Sequence, residues 1–516
     1  MIPEHEKSSQ PFWNDWGIIT IFASVKLGMH FITNVLGGYG YFRDELYYIA
    51  CSEHPAAGFV DQPPLSIFIL ALNRLLFGDS LFALRLLPAV SGAATVFLAG
   101  AIARELGGKK FAQALACIAV LSAPIFWGIN TFYSMNAFDA VVWPLAAFAL
   151  IRLVRTGDTR HWVILGLVLG LGLLNKVGVL WLGVGITCGL VLTPDRRWLR
   201  TRWPWISAGI AFFLFLPFII WNLTHDMVHL EFIRRALGKY ESQTPLTFFV
   251  GQVILHHPLS LPLWLAGIVF LFKSENGKFR LLAYTYLGAL LILVINIHSK
   301  PEYLSPAYPM LFSAGSVWLA KFAEERSWHG LKAAYAGLLF VGGTILVPSA
   351  LPILPVETYI RYAEVIGIKP GTAEGKELGA LPQFYADMFG WEDKVKAVAE
   401  AYHKLSAEDR KKCALFADNY GRCAAIDFFG NRYGLPKSIG RHNNYWLWGP
   451  AGFTGELVII LGGNFDDKKE VFESVEIAGT VHSEYAMPYE NDLRIYVCRN
   501  LKVPLGQMWE RLKQYD

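Results

Sequence analysis

Long apolar runs, broken by short polar interruptions, fill the first two thirds of the chain. Runs such as Trp205–Trp221, Leu281–Ile297 and Leu331–Val347 carry no polar face. Their length, about 17–22 residues, suits a hydrocarbon core of about 30 Å. The pattern predicts about eleven spans, near 16–36, 81–103, 111–129, 135–153, 161–174, 177–193, 204–222, 248–272, 281–297, 303–320 and 331–347. Residues 1–15 are polar and no small-residue cleavage site follows the first run, so that run is expected to be a span and not a signal peptide. Between spans, Leu65–Phe77 follows Pro63-Pro64 and has the pattern of an amphipathic helix lying along the interface.

The polar interruptions give an orientation. Alternate loops are basic: Arg104, Lys109 and Lys110; Arg152, Arg155 and Arg160; Arg196, Arg197, Arg200 and Arg202; Lys273, Lys278 and Arg280; Lys321 and Arg326. Short basic loops stay cytoplasmic. The N-terminus is therefore expected in the cytoplasm, and the tail beyond residue 350 outside. The boundaries read as a transmembrane body over 1–350, with an external loop at 37–80, and an external domain over 351–516. Pro348, Pro352 and Pro355 mark the junction. In the tail, Ala414–Ala417, Leu457–Leu461 and Ile495–Cys498 read as strands and Asp387–Leu405 as an amphipathic helix, a small α/β domain.

Composition agrees with this picture. Of 516 residues, 54% are hydrophobic and 17% charged, and mean hydropathy is +0.35; a soluble domain carries about 25% charged residues. A net charge of +4 gives no reason to expect a nucleic-acid partner. No glycine-rich phosphate loop or H-E-x-x-H segment occurs, so no nucleotide cofactor or peptidase zinc is expected. Among six cysteines, Cys413 and Cys423 would both be external, leaving a disulfide between them open.

The candidate chemistry lies on the external side. Asp44 and Glu45 follow the first span, Asp61 precedes Gln62 and two prolines, and Asp139 stands at the external start of the fourth span. Carboxylates gathered at one membrane face are costly unless they bind or react. Asp44, among Tyr41, Tyr47 and Tyr48, and Asp139 are the candidate catalytic residues, since a carboxylate takes a proton from an attacking hydroxyl. Glu45, Tyr48, Asp61, Gln62, Lys300, Glu302, Tyr303, Arg234 and Arg235 are candidates for binding substrate, the cations by holding phosphate. Plainer readings exist: Asp61 as a helix cap, Lys300 as an interfacial anchor, Arg234, Arg235 and Lys239 as headgroup contacts, His256 and His257 as core or interfacial groups. Asp44 and Asp139 are also the expected ligands if a divalent ion, Mg or Mn, is held by converging hard oxygens. Trp446 and Trp448, in a Gly/Asn-rich loop, suggest acceptor docking by the external domain.

Together, D44-E45-L-Y47-Y48 and D61-Q62-P63-P64-L65 resemble the signature of the dolichyl-phosphate-mannose protein mannosyltransferase superfamily, and most of all its bacterial branch containing the aminoarabinose transferases of lipid A. Asn136–Asp139, Lys300–Pro309, Asn419–Gly421 and His442–Pro450 extend the resemblance. It implies a GT-C fold, a polyprenyl-phosphate sugar donor, inversion at the anomeric carbon, and Asp44 as general base or acceptor-orienting carboxylate, with Asp61 and Asp139 shaping the site or binding a metal. The aminoarabinose branch has Glu-Lys before the paired prolines where this chain has Asp61-Gln62, so a phosphate contact is missing there and the resemblance leaves the sugar and the acceptor (protein, lipid or glycan) open. The expected location is the bacterial inner membrane. The rival readings are a transporter or flippase for lipid-linked sugars and a non-catalytic glycan-binding membrane protein. Transporters set ionisable groups near the midplane and often show inverted repeats; here the carboxylates sit at one face and no repeat is visible.

Overall fold

The computed structural model describes residues 12–238, 242–371 and 376–516. Every predicted run contains a helix. Among the described residues six helices are long and apolar enough to cross a membrane: Trp16–Leu36, Leu81–Glu105, Met135–Thr156, Trp203–Thr224, Pro258–Gly277 and Gly330–Ser349. A seventh counts if Val179–Val191 and Pro194–Arg200, bent by 106°, form one span. Two predicted spans are broken. The run 111–129 stops at Ser122, and Pro124 starts a new short helix. The run 248–272 splits at His257, whose φ is 73°, just before Pro258. In both, the residue ahead of the proline is pushed out of the helical region.

Small residues let the helices of this body approach closely. A Cβ added to Gly315 would lie 1.9 Å from the Leu263 carbonyl oxygen, and one on Gly267 would lie 2.2 Å from that of Leu311. These glycines seal the crossing of the helices Leu261–Lys273 and Tyr308–Glu325. At one end of the body lie the short helices Arg43–Ser52 and Leu65–Phe77. The second buries Ile67 and Leu70 and exposes Leu72, Leu75 and Leu76, an apolar stripe suited to an interface.

The C-terminal α/β domain caps that same end. Its sheet has five strands, β1 (Cys413–Ala417), β2 (Ser438–Gly440), β3 (Leu457–Leu461), β4 (Phe472–Val481) and β5 (Leu493–Leu501), in the order β2-β1-β3-β5-β4. β1 pairs in parallel with β2 (Leu415 opposite Ser438) and β3 (Leu415 opposite Ile459), whereas β5 runs antiparallel to β3 and β4. The helix expected at Asp387–Leu405 spans Trp391–His403 and starts after Gly390, whose φ of 79° suits glycine. The core of the domain is continuous with the helix Arg43–Ser52: Leu46, Tyr47, Ile49 and Cys51 are buried in one cluster with Leu415, Cys423 and Ala424.

The disulfide left open between Cys413 and Cys423 is not formed; both thiols are free and buried. Cys413 opens β1 and Cys423 lies in the helix beyond its far end, so the strand alone holds them about 13 Å apart at about 3.3 Å per residue. A disulfide spans at most about 7 Å between Cα atoms.

Candidate active site

The helix Arg43–Ser52 starts with Phe42 extended (ψ 147°), and its first turn carries both Asp44 and Glu45. Successive helical residues point about 100° apart, and the two carboxylates part accordingly. Asp44 faces the C-terminal domain. Its Oδ1 accepts a hydrogen bond from the Tyr420 hydroxyl (2.8 Å) and lies 3.4 Å from Arg43 Nε; the side chain is 33% exposed. Arg43 itself is buried, bonded to the Tyr489 hydroxyl (3.0 Å) and 3.6 Å from Asp387. Asp61 lies on the other side of a tyrosine pair. The Tyr47 hydroxyl donates to Asp61 Oδ1 (2.9 Å) and accepts from the Asn444 side-chain amide, which also reaches Asp61 (3.3 Å). The Tyr47 ring stands 4.5 Å from that of Tyr420. Burial, with the Asp44 charge adding to it, pushes the Asp61 carboxyl up to about 7, against the pull of its hydrogen bonds from Tyr47 and Asn444.

Asp139 belongs to a second cluster at the same end of the bundle. It is buried, and its Oδ2 lies 3.7 Å from Lys176 Nζ. Lys176 donates to Asn136 Oδ1 (2.7 Å) and stands 5.1 Å over the Tyr303 ring, which stacks on Trp181 at 5.4 Å. Asp139 Oδ1 and Asn175 Oδ1 are buried without hydrogen-bond partners. Tyr303 is thus linked to Asp139 through Lys176. Lys300 and Glu302 stand partly buried just before it, in a turn anchored by the Gln252 amide donating to the Pro301 carbonyl (2.7 Å). Lys176, Asn136, Tyr420, Asn444 and Arg43 are the contributors that reading the sequence did not put among its site residues.

Other expectations need correction. Glu45 does not face a substrate: it is fully buried, paired with Arg85 through both oxygens (2.9 and 2.8 Å), and accepts from the backbone N–H groups of Phe42 and Tyr133. Tyr48 is buried too, its hydroxyl accepting from Met135 N. Gln62 is buried, with both amide atoms lacking partners. Arg234 and Arg235 lie exposed on the helix Val228–Ala236, and Arg235 pairs with Glu231 (2.6 Å), which also binds Lys513. Lys239 lies outside the described residues. His256 is buried and stacks on Tyr308 at 3.6 Å. Trp446 and Trp509 exchange reciprocal hydrogen bonds from indole N–H to backbone carbonyl, so Trp446 locks the domain together, and Trp448 stacks on His54 at 4.0 Å. Among the described residues no three His, Cys, Asp or Glu side chains converge as a ligand set. Asp44 is bonded to Tyr420, and Asp139 is paired with Lys176.

Residues 61–221 match the family model described as dolichyl-phosphate-mannose-protein mannosyltransferase. The lipid A galacturonosyltransferase RgtD of Rhizobium johnstonii is 26% identical over 82% of this chain and 86% of its own length. An undecaprenyl phosphate-α-4-amino-4-deoxy-L-arabinose arabinosyl transferase of Pseudomonas fluorescens is 22% identical over 64% of this chain, which spans only 58% of that relative. Among solved structures, ArnT from Cupriavidus metallidurans bound to undecaprenyl phosphate superposes with a TM-score of 0.62 at 13% identity, over 93% of this chain and 98% of that one. The chain has the GT-C fold of ArnT and is a glycosyltransferase similar to the galacturonosyl and aminoarabinose transferases of these relatives. The transferase also carries an apolar groove of about 380 Å³, lined by Pro55, Ala56, Ala57, Pro64, Leu65, Phe68, Leu174 and Pro217. Leu174 places its wall two residues from Lys176.

Proposed function

We propose that this transferase moves a sugar from a polyprenyl phosphate to a hydroxyl of a lipid A-type acceptor at the periplasmic face of the bacterial inner membrane. The observation that carries the reading is the Lys176 ammonium held beside Asp139, two residues along the chain from Leu174 in the wall of the apolar groove. A polyprenyl chain fits the groove, and its phosphate meets Lys176, the cation that replaces the lysine missing at Gln62. The alternation of basic loops supports the periplasmic placement, and the names of the relatives support the lipid acceptor.

The reaction is a single displacement. Asp44 takes the proton of the acceptor hydroxyl as its oxygen bonds the anomeric carbon, while the bond from that carbon to the phosphate oxygen breaks and polyprenyl phosphate departs. The configuration inverts. The departing phosphate needs charge stabilisation more than a proton, and an ammonium already fixed by Asn136 and Asp139 supplies it without reorganisation. Asp44→Asn removes the base and leaves the groove and Lys176 in place.

The test is transfer from a panel of labelled polyprenyl-phosphate sugars to lipid A by the purified protein in nanodiscs. Turnover of one donor is expected, falling by about 10²-fold or more in Asp44→Asn with donor binding kept. Donor binding and movement across vesicles without transfer would instead establish the flippase reading, and a wild-type protein that neither binds nor turns over any donor would overturn the proposal.

A further inference from the structure

We infer that Tyr420 is a positioning residue for Asp44, so that the general base is completed by the C-terminal domain. The inference rests on the role proposed for Asp44 above. β1 ends at Ala417, and Asn419 caps the following helix, Tyr420–Phe429, by accepting from Gly421 N (2.6 Å). This turn at the carboxyl end of a parallel strand points at the membrane body, as does the chain leaving β2, which carries Asn444 to Asp61. The carboxyl ends of parallel strands are where open α/β sheets gather their sites. Here two neighbouring strands each send one side chain onto one carboxylate.

The Tyr420 ring packs against two others, 4.5 Å from Tyr47 and 4.8 Å from His442. Gly421 permits the approach: a Cβ there would lie 2.5 Å from Arg43 Cγ. The hydroxyl therefore reaches Asp44 from a ring that has little freedom to turn away. It engages Oδ1, on the side where Arg43 Nε also lies. Asp44 Oδ2 has no hydrogen bond among the described residues, and the carboxylate is one third exposed. One oxygen is held, and the other is presented to the acceptor hydroxyl. The charged groups facing Asp44 are Arg43 from its own helix and Asp61 from the loop beyond; Asp387 and Tyr489 reach it through Arg43.

Tyr420→Phe keeps the ring and removes only the hydroxyl. The expected result is a kcat lower by about tenfold or more, the usual weight of one charge-assisted hydrogen bond, with the donor KM within about twofold of wild type. A second readout needs no turnover: carbodiimide labelling of Asp44 at one fixed pH, followed by peptide mass spectrometry, reports how tightly this carboxylate is held. Its rate should rise several-fold in Tyr420→Phe, which frees the oxygen that the hydroxyl engages. Gly421→Ala, which crowds Arg43 without removing the hydroxyl, should lower kcat as well. A Tyr420→Phe protein with the kcat and the Asp44 labelling rate of wild type would overturn the inference. So would one whose kcat falls only in step with donor binding and melting temperature, which is what a merely structural tyrosine gives. Because labelling is independent of the reaction, a protein that transfers no sugar counts against the proposed function alone, and the labelling rate still decides the role of Tyr420.

Discussion

Adjacent carboxylates with opposite duties make Glu45→Ala the sharpest perturbation of this architecture. Glu45 is 0% exposed and Arg85 2%. Four hydrogen bonds end on its two oxygens: Arg85 Nε at 2.9 Å, Arg85 Nη2 at 2.8 Å, Phe42 N at 2.9 Å and Tyr133 N at 2.8 Å. They tie the start of the helix Arg43–Ser52 to the span Leu81–Glu105 and to the segment ahead of the span Met135–Thr156. Removing the carboxylate leaves an arginine buried with only the Gly40 carbonyl to bond (2.8 Å), a loss of about 3–5 kcal/mol. Each orphaned N–H adds about 1–3 kcal/mol where water cannot reach it. Relaxation overlaps these costs, so about 5 kcal/mol is a fair expectation, comparable with the whole stability of many domains. Thermal melting and limited proteolysis in nanodiscs would read it, as a drop of roughly 5–10 °C and early cleavage around residues 37–80. Replacing both partners with apolar side chains, as in Glu45→Leu with Arg85→Met, should recover much of the loss, because the penalty comes from an unpaired buried charge. Asp44→Ala, one residue away, should lose turnover and keep the melting temperature. A Glu45→Ala protein that melts like wild type but no longer binds donor would refute this reasoning and return Glu45 to the substrate site.

Asp61 gives a pH-dependent counterpart. Its carboxyl rises from 3.8 to about 7 on folding, so between those values the native state holds a proton that the unfolded chain has lost, and stability falls as pH rises through the interval. Asp61→Asn removes this effect; its melting temperature relative to wild type should be higher at pH 8 than at pH 4, the full shift being worth about 4 kcal/mol, and equal differences at both pH values would refute it. Lys176→Met should weaken donor binding by roughly 10–100-fold, the weight of a hydrogen bond to a charged group, measured by equilibrium binding of a labelled polyprenyl phosphate; unchanged affinity would place the phosphate elsewhere. Gly315→Ala sets a Cβ 1.9 Å from the Leu263 carbonyl and should cost about 1–3 kcal/mol of thermal stability, whereas Gly28→Ala, with open space around it, should melt like wild type. Turnover should survive EDTA within about twofold, since Asp44 and Asp139 are engaged by protein partners; loss of turnover restored by Mg or Mn would overturn that expectation.

The helical body was legible because spanning a membrane imposes run length and apolarity directly on the chain. Its breaks were written in the sequence as well, at Pro124 and Pro258, but an apolar run reads continuously across a proline unless the restraint on the preceding residue is weighed. β1, β3 and β5 announced themselves as buried apolar runs; β2 has three residues, and β4 buries only its ends, so neither carries a pattern. In the site, Asp44 and Asp139 could be picked out by their place at span ends. Glu45 was misread because adjacency in sequence was taken as adjacency in duty, although two neighbours on a helix cannot face the same partner. Lys176 was visible as a lone cation in a short polar turn, and only the fold reveals that Asp139 stands beside it. Tyr420 and Asn444 lie at the other extreme. They meet Asp44 and Tyr47 across 376 and 397 residues, a separation over which no local pattern carries information. What the sequence does hold is the means of the meeting: a glycine at 421 that makes room for Arg43, and an Asn-rich turn after β2 short enough to reach Asp61. Asp44, the proposed base, was therefore readable from the membrane segment alone, while the groups that bond to it and to its neighbour Asp61 belong to a domain whose relation to them exists only once the chain has folded.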